Sequence, residues 1–247
     1  MAGGPGAAVG PEAAFRLGTL VTRAGLRSPA LLAHMATTVG GLAGTPPIVG
    51  LGMGDAANRA ENDAFGLPYH KDPVNRAAEL VRSAAALHGG QAGRAVAEVW
   101  VGGRSHRARG LAGRLAEAWN GWGLTPEELA AALVEVRRAA EDAGRDPTQV
   151  VGTWGGQVLV SEDRAQARVL LERWGAGRPP AEVARIVAGD GESVARRLAE
   201  LRDAGATWCV LAFVGGSGVR MRTLLAKASV VSVASGAVGR SDRQRDS

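Results

Sequence analysis

The chain has 247 residues, 46% of them hydrophobic and 21% charged, with a formal net charge of +5 and one cysteine. This length suits one barrel-sized α/β domain or two small ones, no apolar run approaches the roughly 20 residues that cross a bilayer, and one cysteine cannot form an internal disulfide framework. Because the N-terminus lacks the parts of a signal peptide and the arginines are scattered among acidic residues, we expect a cytoplasmic protein that binds neither membranes nor nucleic acid.

The first elements of the chain are a disordered start, a strand and a capped helix. Residues 1–13 are mostly Gly, Ala and Pro without periodicity, which predicts disorder. Phe15–Val21 is a candidate strand. Ser28 and Pro29 then form a helix start, and the helix that follows is expected to end by Gly44.

A glycine-rich stretch follows, and the rest of the chain is organised around it. Ile48–Leu51 is a short apolar run typical of a buried parallel strand, and glycines alternate at positions 50, 52 and 54. Asp55 then begins a polar helical segment that stops at Phe65–Pro68. Such a strand end lets the backbone approach a flat or anionic ligand, or it is simply a tight turn, and the spacing alone does not separate the two.

The remaining chain continues to alternate helices and strands. Asp72 and Pro73 open a helix to about His88, and Thr125–Glu128 is a capping box at the start of another helix. Ser161 is expected to open a further helix through Trp174. Residues 237–247 are a polar tail that we expect to be disordered. Alternation of this kind predicts right-handed β-α-β units in one parallel sheet and one domain over residues 14–236. We predict six strands in all. In addition to the two described above, they are Val96–Val101, Ala118–Asn120, Val150–Val160 and Trp208–Val214.

Several segments in one order over residues 15–235 carry a family resemblance. They are Leu17–Thr22, Arg27–Ala33, Gly50–Gly54 with Asn58 and Glu61, Phe65–Pro68, Val99–Gly103, Ala116–Asn120, Ala143–Pro147 and Asp203–Ala206. Together they resemble the luciferase-like flavin- or deazaflavin-dependent oxidoreductases, and the deazaflavin-using branch in particular. The resemblance implies a TIM-barrel-like (β/α) fold with the cofactor at the carboxyl ends of the strands.

The resemblance also implies cofactor-binding residues. Leu20 and Val21 match a strand end with a non-prolyl cis peptide behind the isoalloxazine ring, and Gly54 and Asn58 match positions near the ring. Asp55 matches a carboxylic acid that some relatives keep near the reacting carbon, although plain N-capping is the preferred explanation of the residue.

A phosphate site is implied further along the chain. Gly102 and Gly103 match a pair whose amides hold the cofactor phosphate, and Arg104 could add positive charge there. The glycine-rich segment Gly215–Gly218 is a rival phosphate site under the general rule for barrels.

The chain also departs from the family. Two strands that precede the one matching Phe15–Val21, and an Asp-His pair that often contributes to catalysis, have no counterpart in residues 1–14. We therefore expect an incomplete barrel of about six of the eight strands, apparently lacking the N-terminal part. Rearranged termini, a partner that covers the gap, or a start codon placed too late could each account for this.

The favoured hypothesis is an enzyme that transfers hydride to or from a small organic substrate, with coenzyme F-420 (8-hydroxy-5-deazaflavin) as cofactor and FMN as the alternative. A monooxygenase that uses reduced FMN and oxygen would have the same fold. The other hypotheses are a non-catalytic, truncated flavin-binding remnant and an unrelated barrel enzyme with a phosphorylated substrate. A homodimer is the expected assembly. No metal site is expected, because no ligand spacing connects His34, His70, His88 and His106.

Overall fold

The computed structural model describes residues 16–90 and 95–228, so both predicted disordered ends lie outside the described residues. Helices and strands alternate along the chain, with residues 218–228 also helical. The strands are β1 (Gly18–Arg23), β2 (Ile48–Gly52), β3 (Glu98–Gly102), β4 (Ala118–Trp122), β5 (Val151–Ser161), β6 (Val187–Asp190) and β7 (Trp208–Phe213). The helices are α1 (Pro29–Ala43), α2 (Arg59–Ala64), α3 (Pro73–Gly89), α4 (His106–Leu115), α5 (Pro126–Glu141), α6 (Arg164–Gly175), α7 (Pro180–Val183) and α8 (Gly191–Asp203).

The chain forms two compact units. Of the described residues, the first unit contains those up to Val101 together with Leu115–Glu117, and the second contains Gly102–Arg114 and residues 118–228. The expectation of one domain over residues 14–236 stays a prediction.

In the first unit, β2 is the central strand. It pairs in parallel with β1 and with β3, and all five of its residues are buried. The register between β1 and β2 shifts between Thr19 and Thr22. Helices α1 and α3 pack together, and α3 contributes the fully buried Leu80, Ala84 and Leu87 to the core.

The helix ends in this unit form where the sequence predicts them. The Ser28 side chain accepts a hydrogen bond from the amide of Leu31 at 3.3 Å, and Gly44 ends α1 in the left-handed region with φ of 72°. Asp72 accepts from the amide of Val74 at 2.8 Å at the start of α3. These side chains satisfy amides that have no partner within the helix.

In the second unit, the long strand β5 is the centre of the sheet. It pairs in parallel with β4 over residues 151–155, with β7 over 153–158 and with β6 over 158–161. Trp119 and Trp154 are fully buried there, and their indole nitrogens donate to the carbonyl oxygens of Gly103 at 3.0 Å and Leu124 at 2.9 Å. Buried indoles of this kind need such an acceptor, so both rings are fixed in orientation.

Helix α5 confirms the predicted capping box. Thr125 Oγ1 accepts from the amide of Glu128 at 3.2 Å, and the Glu128 carboxylate accepts from the amide of Thr125 at 3.0 Å. The start of α6 differs from the expectation of a helix opened by Ser161. Ser161 is the buried last residue of β5, and Asp163 caps the helix by accepting from the amide of Gln166 at 2.8 Å.

Parallel strands alternate with helices in each unit, and the predicted fold class, an incomplete TIM-barrel-like β/α fold, is confirmed. The described residues contain seven strands, the six expected ones and β6, which the sequence analysis missed. Among these residues, no helix combines the length and apolar character that crossing a membrane would require.

Candidate cofactor site

The alternating glycines of β2 lie directly against alternating residues of β1. An added Cβ would lie 2.3 Å from the carbonyl oxygen of Thr19 at Gly50, 2.6 Å from Cγ2 of Val21 at Gly52 and 3.0 Å from Cδ of Arg23 at Gly54. The glycines are therefore required by the close approach of β1, including the side chain of its last residue, Arg23. Gly54 is also required by its backbone, with φ of +69°.

The end of β1 contains the first pair of predicted cofactor residues. The peptide bond between Leu20 and Val21 is cis, as the resemblance implies. Val21 rests on the bare backbone of Gly50 and Gly52, and it is nevertheless 42% exposed. An exposed apolar side chain thus lies at the carboxyl end of the strand, and contact with a cofactor stays a prediction for both residues.

Asp55 and Asn58 satisfy each other in a capping box after β2. Asp55 Oδ1 accepts from the amide of Ala57 at 2.9 Å, and the amide of Asp55 donates to Asn58 Oδ1 at 3.0 Å. The capping role is thus realised. Because the carboxylate is exposed, it remains accessible to a ligand, and a catalytic role for Asp55 stays a prediction.

Arg23 connects this turn to β1, and the sequence analysis did not single it out. Its Nη1 donates to Asn62 Oδ1 at 2.6 Å and to the carbonyl of Asn58 at 3.3 Å, while its Nη2 lies 2.8 Å from Glu61 Oε2. Asn62 in turn donates to the carbonyl oxygen of Pro68 at 2.8 Å. Only the alternation of residues 19, 21 and 23 opposite glycines 50, 52 and 54 could have pointed to this arginine.

The second unit places the predicted phosphate residues at the end of β3. Gly103 has φ of +137°, its amide donates to the carbonyl oxygen of Asn120 at 3.3 Å, and its own carbonyl accepts from the Trp119 indole. The Gly103 amide therefore already has an acceptor in the main chain of β4. Phosphate binding by Gly102 and Gly103 stays a prediction, with the donors now expected from the following helix.

That helix, α4, begins directly after the glycines and offers amides of its own. Ser105 Oγ accepts from the amide of Ala108 at 3.2 Å, whereas the amides of His106 and Arg107 come too early in the helix to have an intrahelical acceptor. Arg104 and Arg107 are exposed beside them. Unpaired amides together with guanidinium groups suit an anion such as a phosphate group.

The rival phosphate segment at residues 215–218 has a packing role as well. An added Cβ at Gly215 would lie 2.7 Å from Leu159 Cδ1, and one at Gly216 would lie 2.9 Å from Met221 Cε. The segment leads into the helical residues 218–228, so an anion there stays a second possibility.

Trp122 is a further residue of interest, at the carboxyl end of β4. Its ring lies on Gly155, where an added Cβ would come within 2.7 Å of Trp122 Cε3, and the side chain is 41% exposed. An added Cβ at Gly152 would instead meet Leu133 of α5. Because residues 152 and 155 of a strand point to opposite faces of the sheet, Trp122 lies on the face opposite α5. Buried Asn120 shares this face and donates to Thr153 Oγ1 at 2.9 Å.

Among the described residues, several ionisable groups have shifted pKa values, and three of them illustrate the causes. For Glu117, burial acts to raise the pKa, but hydrogen bonds from His88 and from the amide of Val99 outweigh burial and hold it below its usual range. For Glu128, the Arg185 guanidinium leads the causes that lower the pKa. Burial raises the pKa of the Cys209 thiol. In the part of the chain that the structure describes, no cluster of His, Cys, Asp or Glu is placed to hold a metal ion.

Sequence comparisons agree with the resemblance described above. The profile of the luciferase-like monooxygenases matches residues 13–184. A phthiodiolone/phenolphthiodiolone dimycocerosates ketoreductase from Mycobacterium kansasii is 31% identical over 188 residues, which cover 67% of this chain and 50% of the ketoreductase. The corresponding Mycobacterium tuberculosis protein is 30% identical over 189 residues, covering 67% of this chain and 48% of its own length. The chain thus spans about half the length of the ketoreductases it matches.

Solved structures show the same fold at low identity. The coenzyme F-420-dependent tetrahydromethanopterin reductase from Methanopyrus kandleri matches with a TM-score of 0.61 and 20% identity, covering 80% of this chain and 77% of the reductase. An F-420-dependent secondary alcohol dehydrogenase, solved with an F-420-acetone adduct, matches with a TM-score of 0.68 and 16% identity, covering 80% and 73%. EDTA monooxygenase from Chelativorans sp. BNC1 matches with a TM-score of 0.67 and 15% identity, covering 87% and 72%.

Proposed function

Because this chain belongs to the luciferase-like monooxygenase family, we propose that it binds a flavin-type cofactor and transfers hydride between that cofactor and a small organic substrate. The family match over residues 13–184 is the observation that carries the proposal. When bound, such a cofactor supplies the hydride chemistry, and the protein supplies binding, orientation and charge.

The described residues fit the two parts of such a cofactor. In the first unit, Val21 packs on the glycine backbone and offers an exposed apolar side chain, and we propose that Leu20, Val21, Gly54 and Asn58 contact the ring system. In the second unit, the start of α4 has unpaired amides beside exposed arginines. We propose that Gly102, Gly103 and Arg104 belong to a phosphate site there, with the first amides of α4 as donors.

We propose coenzyme F-420 as the cofactor, with FMN as the alternative, and a ketone or its secondary alcohol as the substrate. The sequence relatives are named ketoreductases, and two of the matching structures are named for F-420, one of them with an acetone adduct. FMN is kept because the family as a whole is described as monooxygenases.

Binding is tested by titrating the purified protein with coenzyme F-420, FMN and riboflavin while following visible absorbance. We expect a saturable spectral change with F-420 or FMN. Riboflavin shares the ring system of FMN but lacks its phosphate, so weaker binding of riboflavin than of FMN would support the phosphate site. No spectral change with any of the three would refute the proposal.

The catalytic role of Asp55 is tested by Asp55→Asn. Asparagine caps a helix about as well as aspartate, so the turn and the cofactor affinity should be retained. If the carboxyl group exchanges a proton with the substrate oxygen, the variant should lose about 10²-fold or more of the hydride-transfer rate to a ketone. An unchanged rate would show that Asp55 takes no part in hydride transfer.

A non-catalytic flavin-binding protein is the second candidate function. The capping box in which Asp55 and Asn58 satisfy each other favours it, because both polar groups already have partners in the protein. Saturable cofactor binding without turnover on any of a panel of ketones and secondary alcohols would identify this case.

A further inference from the structure

The guanidinium group of Arg23 is an enclosed positive charge near the predicted ring site. Its side chain is only 14% exposed, and it reaches Asn62 Oδ1, the carbonyl oxygen of Asn58 and the carboxylate of Glu61 at once. One acceptor is a main-chain atom, one a buried amide and one an exposed carboxylate. Burial of such a charge is tolerated only with acceptors of this kind around it.

These contacts join two segments that are more than thirty residues apart in sequence. Arg23 is the last residue of β1, two positions after Val21, whereas its acceptors lie at the end of the turn after β2 and in α2. Through Asn62, the link continues to the carbonyl of Pro68, where the segment leaves α2. A single side chain therefore sets the position of this segment relative to the exposed end of β1.

The geometry requires arginine at this place and glycine at position 54. A planar guanidinium presents donors in several directions, whereas a lysine ammonium on a flexible stem could not reach all three acceptors in one fixed arrangement. The aliphatic part of Arg23 passes Gly54 so closely that an added Cβ would lie 3.0 Å from Arg23 Cδ and 3.1 Å from Asn58 Oδ1.

We propose that Arg23 is a positioning residue that holds Asn58 and its turn at a fixed place beside the exposed surface of Val21, so that both can address one ligand. The inference rests on the proposed function, because that ligand is the ring of the flavin-type cofactor. Arg23 itself donates from Nη1 to Asn58 and Asn62, its Nη2 is ion-paired with Glu61 without a hydrogen bond, and it acts through these residues.

The test compares Arg23→Met and Arg23→Lys with the wild type and with Arg27→Met. Arg27 is a matched control, since it is exposed on the loop after β1 and makes its hydrogen bond to Thr22 at 3.1 Å. Two quantities are measured for each protein, the dissociation constant of the bound cofactor and the hydrogen exchange of backbone amides, peptide by peptide.

Arg23→Met should weaken cofactor binding by about tenfold or more, since it removes hydrogen bonds from a charged donor. The same variant should speed exchange in peptides covering residues 54–68 and leave α5 and α8 unchanged. Arg23→Lys should lie between it and the wild type, and Arg27→Met should match the wild type. If Arg23→Met does not fold, Asn62→Ala breaks the same link and should show the same localised change.

Wild-type affinity in Arg23→Met would overturn the inference while leaving the proposed function standing. Faster exchange spread over the whole protein would overturn it as well, because the residue would then be a general stabiliser. Absence of cofactor binding by the wild type would instead refute the proposed function, and the positioning role with it, even if exchange over residues 54–68 still depended on Arg23.

Discussion

Replacing Gly50 with alanine tests the close packing of β1 on β2, on which the shape of the predicted ring site depends. The added Cβ would lie 2.3 Å from the carbonyl oxygen of Thr19 and 3.2 Å from Val21 Cγ1. The first of these atoms belongs to the backbone of a paired strand and cannot rotate away, so β1 has to move. Val21 moves with it, and the variant should therefore also bind the cofactor more weakly.

The size of the effect follows from this geometry. Overpacking a buried position costs about 1–3 kcal/mol, and a backbone contact places Gly50→Ala near the upper end, at about 3 kcal/mol. For a protein of this length, each kcal/mol lowers the melting temperature by about 2–4 °C, so we expect a decrease of about 6–12 °C.

Thermal unfolding followed by circular dichroism measures this decrease, with Gly41→Ala as the matched control. Gly41 lies in α1, and an added Cβ there would meet nothing within 4 Å. Alanine in a helix interior is favoured over glycine by about 0.5–1 kcal/mol, so the control should be slightly more stable than the wild type. A melting temperature of Gly50→Ala equal to that of the wild type would refute the packing of β1 described above.

Three further predictions concern buried and ionisable groups. Thr153→Val should lower the free energy of unfolding, measured in urea, by about 1–3 kcal/mol, because the Asn120 amide loses its buried acceptor. An unchanged urea midpoint would contradict that hydrogen bond. Because the pKa of Glu117 is lowered in the folded protein, its ionised form stabilises the fold above the usual glutamate pKa range, and this contribution is lost as the pH falls through the lowered value. The free energy of unfolding of Glu117→Gln should therefore depend less on pH on the acid side than that of the wild type. An unaltered pH dependence would contradict the lowered pKa. Cys209, with its pKa raised by burial, should react with a thiol reagent more slowly than free cysteine at neutral pH.

Local signals in the sequence were sufficient for the helix starts. Ser28, Asp72 and Thr125 each accept a hydrogen bond from an amide in the first turn, and a proline follows each of them. A cap acts over three or four residues, so its effect can be predicted without knowing the fold. The start of α6 was misplaced at Ser161, because β5 extends through that residue and the cap forms at Asp163.

Strand β6 was missed because nothing local defines it. Val187–Asp190 has four residues, of which only Gly189 is buried, so no apolar alternation marks it. The strand exists because β5 is long enough to pair with it at residues 158–161, beyond the part that pairs with β4. This depends on the tertiary arrangement, which a pattern within one segment does not contain.

The glycine spacing predicts either a ligand close to the backbone or a tight turn, whereas the close approach that the structure shows at these glycines is made by β1. Positions 50, 52 and 54 face residues of β1 about thirty positions earlier, and the register of that pairing is not encoded in either segment alone. For the same reason Arg23 could not be told from other arginines, since its role depends on acceptors contributed by α2.

Backbone hydrogen exchange with and without saturating coenzyme F-420 or FMN tests most directly whether the predicted strand ends contact a flavin-type cofactor. We expect one of the two cofactors to slow exchange in peptides covering residues 18–24, 54–58 and 102–108, and to leave α8 unaffected. Unchanged exchange in all three segments with both cofactors, or protection confined to residues 215–221, would contradict the proposed site.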